Sequence, residues 1–157
     1  MAHYLYLVRH GEQLDAEHGL PDGTLSPKGI RQAQAIADRL GGVPFSRAWH
    51  SPLERAAETA AIMTERLPAL KSTPSALLMD CIPSGPTHDM PRAFEPFLKT
   101  VTPEQIEAGE AQMADAVAEF LAPAREDRHD LLITHNFVIS WFVREVLDAR
   151  PAPQAPR

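Results

Sequence analysis

The sequence predicts an α/β sandwich, with a largely parallel sheet between two layers of helices. Three observations carry that prediction. Short apolar runs alternate with longer helical patterns along the chain, as parallel strands and their crossover helices require. Residues 131–134, LLIT, are apolar with no polar alternation, as in a strand covered on both faces. Serine or threonine followed by proline opens three of the helical patterns, at Ser26-Pro27, Ser51-Pro52 and Thr102-Pro103. Strand order is not legible at this level.

Residues 4–8 are aromatic and β-branched and read as a short buried strand. Residues 14–24 carry Gly19, Pro21, Asp22 and Gly23, which is loop chemistry. Ser26 then caps a helix with the apolar stripe Ile30, Ala33, Ala37 and Leu40, which Gly41-Gly42 ends. Residues 47–49 form a second strand. Ser51-Pro52-Leu53-Glu54 has the spacing of a capping box before an alanine-rich helix to about Leu67. Residues 75–79 read as a third strand.

Residues 82–100 hold Pro83, Pro86, Pro91 and Pro96. They read as a long irregular excursion, a type of loop that is often functional. Thr102 and Gln105 repeat the capping signature, and the helix behind them is expected to bury Ile106, Met113, Val117 and Phe120 or Leu121. After the strand at 131–134, residues 137–147 are apolar almost all round a helix and are expected to be well buried. Residues 1–149 thus read as one domain, and residues 150–157 as a loose Ala/Pro-rich tail.

The chain of 157 residues is long enough to bury one real core. A net charge of −6 argues against a nucleic-acid surface. No apolar run approaches the ~20 residues of a membrane span, so no membrane partner is expected. A single cysteine, Cys81, excludes an internal disulfide and a cysteine zinc cluster and makes a reducing, cytoplasmic setting the default. Any phosphate handled by so acidic a chain must be held by a few well-placed cations.

Ligands of such sheets sit beyond the carboxyl ends of the strands. Arg9-His10-Gly11 follows the first strand, Arg55 lies in the first turn after the second, and His135-Asn136 follows the strand at 131–134. Two arginines and two histidines therefore converge on one edge, beside helix N-termini that favour anions. That set of residues describes a phosphate pocket.

These residues also carry a resemblance. Arg9-His10-Gly11-Glu12 resembles the R-H-G-E signature of the histidine phosphatase superfamily (phosphoglycerate mutase-like, branch 1). The stretch from Leu25 to Ala33 resembles its L-[ST]-x-x-G-x-x-Q-A element. Ser51-Pro52-Leu53-Glu54-Arg55-Ala56 with Thr59-Ala60 resembles its S-x-x-x-R-A-x-x-T-A element. Thr134-His135-Asn136 resembles its second-histidine motif. One R-H-G would be weak, but four elements in register span nearly the whole chain, as in a short phosphatase-type member.

The resemblance implies a phosphoglycerate mutase-like fold and a phosphohistidine route. His10 would attack phosphorus, while Arg9, Arg55 and His135 bind the equatorial oxygens and stabilise their charge. His10 must be neutral and His135 is more useful protonated, so their surroundings should push the two pKa values apart. With cations fixed in place, neither Mg²⁺ nor another cofactor is implied. The family's general acid follows the third strand, usually as L-x-E; Leu78-Met79-Asp80 stands there, and Asp80 is the candidate. Glu12 and Asp89 are the other carboxylates in reach. The surroundings of Asp80 most resemble the subgroup of the mitochondrial Ser/Thr phosphatase and the small bacterial phosphatases.

Two departures accompany it. Many members carry an asparagine several residues after R-H-G, whereas Leu14, Asp15, Ala16 and Glu17 stand there and Gln13 is the nearby amide. Gln13 and Asn136 are accordingly the candidate amide ligands of phosphate. Members also usually continue into a further strand beyond the last helix, which leaves the sheet edge here either bare, covered by a partner or completed by a longer chain.

The remaining residues read blandly. His3, His18, His88 and His129 are expected at the surface in no zinc spacing, and His50 packs behind Ser51. Trp49 and Trp141 belong to the core, and Cys81 is a buried, inert thiol. The function expected is hydrolysis of a phosphomonoester, from a small molecule or an exposed phosphoprotein side chain. The alternatives are a phosphoglycerate-type mutase and a catalytically weak phosphate-binding module. Oligomeric state is not legible.

Overall fold

The computed structural model describes residues 1–16, 21–86 and 91–147. Strands β1 (His3–Arg9), β2 (Arg47–His50), β3 (Ser72–Pro74) and β4 (Arg128–Thr134) form one sheet in the order β1-β4-β2-β3, parallel throughout. The helices are α1 (Pro27–Leu40), α2 (Glu54–Arg66), the single turn α3 (Glu95–Leu98), α4 (Pro103–Phe120) and α5 (Asn136–Val146).

Side-chain alternation splits the core into two sheets of packing. Leu131 and Ile133 of β4 join Val8, Ala37, Ala60 and Met63 under α1 and α2. Leu132 points the other way and joins Met113, Phe120, Val138 and Phe142 under α4 and α5. This is the predicted three-layer α/β/α sandwich, and residues 131–134 are fully buried as the missing alternation required.

The caps of α1 and α4 also form as predicted. Ser26 Oγ accepts from the Gly29 amide at 3.0 Å, and Thr102 and Gln105 close a reciprocal capping box. Beneath the α1 cap, Gly29 packs against the backbone of Glu12, in the turn that carries His10. A Cβ on Gly29 would overlap the Glu12 carbonyl oxygen and lie 2.8 Å from its nitrogen. Gly29→Ala is expected to destabilise the fold by about 1–3 kcal/mol and to lower any activity that depends on His10. A urea midpoint beside a rate measurement checks both.

Several expectations are corrected. The third strand lies at Ser72–Pro74 rather than 75–79, because β2 fixes its register through Ala48↔Ser72 and His50↔Pro74. The apolar residues that follow coil into a 3₁₀ turn, Ala76–Leu78, which buries Leu78 completely. The excursion over 82–100 is not wholly irregular, since a 3₁₀ turn at Arg92–Phe94 leads into α3.

Helix α4 buries Gly109, Met113, Ala116 and Phe120, while Ile106, Val117 and Leu121 are only half-buried. Helix α5 buries Val138 and Phe142 but leaves Val143, Val146 and Leu147 exposed, because it lies on the sheet by one face only. Trp49 and Trp141 pack at the margin of the second core cluster.

His3 and His129 are half-buried rather than exposed. His3 Nε2 lies 2.9 Å from the buried Asp130, and His129 stacks on Tyr4 with ring centroids 4.6 Å apart. His18, His88 and the tail at 150–157 lie outside the described residues. No helix among the described residues is long and apolar enough to cross a membrane.

Candidate active site

Each strand delivers a polar residue to the carboxyl edge by continuing its ladder one step. The His10 amide donates to Thr134 O at 3.0 Å, Ser51 N to Ile133 O at 2.9 Å, and Ser75 N to His50 O at 2.9 Å. His135 follows β4 directly and serves as the N-cap residue of α5. The His10 turn is further pinned to α2, where Gly11 N donates to Thr59 Oγ1 at 3.0 Å and that hydroxyl donates to Arg55 O at 2.7 Å.

Arg55 is the centre of the arrangement and is almost fully buried. Its Nε donates to His10 Nε2 at 3.1 Å. Its Nη1 donates to Pro21 O and Asp22 Oδ1, both at 3.1 Å. Its Nη2 donates to Asp80 Oδ2 and His135 Nδ1, both at 3.1 Å. Every donor of the guanidinium fork has a partner.

These bonds fix both imidazole tautomers, because a guanidinium can only donate. His10 Nε2 therefore presents its lone pair, and Nδ1–H donates to Gly11 O at 2.7 Å. His135 accepts at Nδ1 and donates from Nε2 to Ser51 Oγ at 2.8 Å. The ring centroids lie 5.0 Å apart.

Burial, reinforced by the charges of Arg55 and Arg9, holds His10 down to about 4. Burial, Arg55 and His10 hold His135 down to about 3. The expected separation of the two values is therefore not present in this arrangement. Both rings are neutral because both are shielded from water and face the same two guanidiniums.

Asp80 behaves differently. Burial raises its pKa against the opposing pull of Arg55 and Arg9. Its Oδ2 also lies 3.9 Å from His135 Nδ1. Asp22 is held below the ordinary carboxylate range: burial opposes this, but the backbone amides of Glu54 and Gly23 outweigh it.

A cavity of ≈ 770 Å³ opens at this edge, lined among others by Arg9, His10, Gln13, Arg55, Thr59 and Asp80. The structure thus brings together Arg9, His10, Arg55, His135 and Asp80, with His135 lying behind Arg55 rather than on the cavity wall. Gln13 is buried on that wall and bridges to Leu25. Asn136 does not line the cavity, and its side chain is exposed in the first turn of α5.

Glu12 accepts from Ser26 Oγ at 2.9 Å and Lys28 Nζ at 2.8 Å, which spends it on anchoring α1. His50 Nδ1 lies 2.7 Å from Ser72 Oγ and does not border the cavity. Asp89 lies outside the described residues. Cys81 is half-buried rather than fully buried, and that shielding pushes its thiol up to about 11, out of the reactive range.

Two participants escaped the sequence reading. Ser51 does not cap α2, whose N-cap is Leu53 without a side-chain bond; its hydroxyl instead holds His135. Asp22 looked like turn chemistry but tethers both Arg55 and the first amide of α2. Among the described residues, no group of three or more His, Cys, Asp or Glu side chains is placed to hold a metal ion.

Fold and site together define a cavity lined by arginine and histidine side chains on the carboxyl edge of a parallel α/β sandwich. The family model of the histidine phosphatase superfamily (branch 1) matches residues 5–82, and the chain belongs to that superfamily. It is 30% identical over 155 residues to the mitochondrial serine/threonine-protein phosphatase PGAM5 of Mus musculus, covering 94% of this chain and 51% of the relative. Over 65 residues it is 43% identical to the adenosylcobalamin/alpha-ribazole phosphatase of Salmonella typhimurium, covering 39% of this chain and 32% of that one. The crystal structure of phosphoglycerate mutase from Bacillus anthracis shares the fold, with a TM-score of 0.70 and 18% identity over 94% of this chain and 81% of that one. The chain spans about half the length of the PGAM5 relatives it matches.

Proposed function

We propose that this chain hydrolyses phosphomonoesters without a metal, through a phosphohistidine on His10. The observation that carries the proposal is the bonding of His10. Its Nδ1–H is tied to Gly11 O, which leaves Nε2 unprotonated and accepting from Arg55 Nε, so a neutral nucleophile on the cavity wall stands beside a buried guanidinium. The relatives named phosphatases support the same class of substrate, a phosphorylated small molecule or protein. A reducing, cytoplasmic setting is part of the proposal and rests on the single cysteine.

A phosphate dianion arriving at the cavity takes the Arg55 donors that now rest on His10 and His135, and Arg9 lies on the same wall. His10 Nε2 then bonds to phosphorus as the ester oxygen departs, and Asp80 gives that oxygen its proton. In the second step Asp80 takes a proton from water, whose oxygen bonds to phosphorus as the P–N bond breaks. Gaining a dianion as neighbour raises Asp80 further. Substrate binding thereby favours the protonated form of the group that must act as acid. The same dianion favours protonation of His135 at Nδ1, which turns it into a third donor.

The first test is turnover of p-nitrophenyl phosphate in EDTA, with acid-labile, alkali-stable phosphate trapped on the protein by rapid quench. Turnover abolished by the chelator, or no phosphoenzyme during turnover, would sink the proposal. The pH dependence adds a sign. His10 is depressed, so kcat/KM corrected for the fraction of substrate dianion should hold down to pH 5 and fall only as pH approaches about 4. Alkyl phosphates, which need the acid, should also lose rate on the alkaline side as Asp80 ionises. p-Nitrophenyl phosphate, with its easily departing phenolate, should show no such alkaline loss.

A further inference from the structure

Asp80 lines two cavities. Beyond it, away from His10, lies a second hollow of ≈ 430 Å³ walled by Ile82, Phe97, Gln105, Gly109, Gln112 and Phe137. We propose that this hollow is the leaving-group subsite of the phosphatase, shaped for an uncharged aromatic or bulky apolar alcohol. The inference rests on the phosphatase reading above and adds the class of substrate.

Position makes the first argument. The acid must touch the departing oxygen, so the alcohol leaves on the Asp80 side of phosphorus, where this hollow begins. The lining makes the second. Phe97 and Phe137 stack face to face, with centroids 5.7 Å apart and planes 11° from parallel, and a ring or branched chain laid against them buries apolar surface.

Among the described lining residues Asp80 is the one charged group. A second phosphate or a carboxylate on the alcohol would meet no cation among the described lining residues and would face Asp80 instead. That disfavours phosphoglycerate-like substrates, and with them the mutase alternative.

The wall is also firmly held. A Cβ on Gly109 would lie 2.7 Å from Ile82 O, so α4 and the segment after Asp80 touch backbone to backbone. Gln112 Nε2 donates to Leu77 O at 3.2 Å and to Met79 O at 2.8 Å. Gln105 Oε1 is occupied by the Thr102 amide. The hollow is therefore preformed rather than assembled by the ligand.

The test compares two phosphonates that cannot turn over, 4-phenylbutylphosphonate and butylphosphonate, by calorimetry. The matching esters, 3-phenylpropyl and propyl phosphate, are compared by kcat/KM; their alcohols have similar acidity, so the ring is the variable. Both ratios are expected to favour the ring about tenfold to a hundredfold. In Phe137→Ala, and independently in Ala108→Lys at an exposed position of α4 on the same wall, the ratios should fall toward one. Ala108→Lys should also improve turnover of 3-phosphoglycerate. Equal affinity of wild type for the two phosphonates, or a ring preference that survives both substitutions, would overturn the subsite. A binding preference without turnover of either ester would instead strike the phosphatase reading and leave the subsite standing.

Discussion

His10→Ala is expected to remove turnover of p-nitrophenyl phosphate by about 10⁴-fold or more, because no other group can form the covalent intermediate. The choice of substrate sharpens the result. p-Nitrophenolate leaves without a proton, so an intact nucleophile acts on it even where the acid is impaired. The variant should still bind inorganic phosphate, since Arg9, Arg55 and His135 remain. A protein that binds phosphate, melts like wild type and neither turns over nor traps phosphate would fit the proposed role. Residual activity within tenfold of wild type would mean that His10 is not the nucleophile.

Arg55→Ala should be as damaging to activity and more damaging to the protein. Removing one preorganised donor from an oxyanion site costs about 10²–10³-fold in rate, and Arg55 supplies bonds to five partners. A loss on the order of 10³-fold or more in kcat/KM is therefore expected. Phosphate affinity should fall with it, which separates this variant from His10→Ala.

The melting temperature should drop as well, because Asp22 and Asp80 would both be left without their shared cation. Arg55→Lys keeps the charge but cannot reach His10, Asp80 and His135 together. It is expected to recover stability before activity. Recovery of full activity by lysine would show that charge alone suffices and that the fork geometry is unimportant.

The layers, and most of the site, were legible in the sequence because both depend on local signals. A strand without polar alternation must be covered on both sides, and 131–134 is. His10, Arg55 and His135 stand immediately after apolar runs or in a first helical turn, where a parallel sheet puts its ligands. What escaped depended on distant partners. The spacing S-x-x-E looks the same whether the serine caps its helix or turns inward, and the choice at Ser51 was made by His135, 84 positions away.

The third strand was displaced for a related reason. Ala76-Leu77-Leu78 is apolar enough for a strand, yet pairing is set by β2 and ends at Pro74. The outer face of α5 was expected inside on composition alone. Whether Val143, Val146 and Leu147 are covered depends on what stands beside the helix, which composition does not encode. The protonation of the two imidazoles was misjudged because it follows from burial and from guanidiniums that only the folded chain assembles.

The saturated fork of Arg55 has a bearing on life in salt. Arg55, which already carries Asp22, Asp80 and two imidazole lone pairs, by itself offers little net attraction to a passing chloride. Such a monovalent visitor would have to evict a carboxylate and could replace only one of its bonds. A phosphate group brings two charges and three oxygens and can take over several donors at once. On the proposed hydrolysis, background electrolyte therefore competes weakly, and the anion that competes seriously with substrate is the inorganic phosphate that the reaction would release.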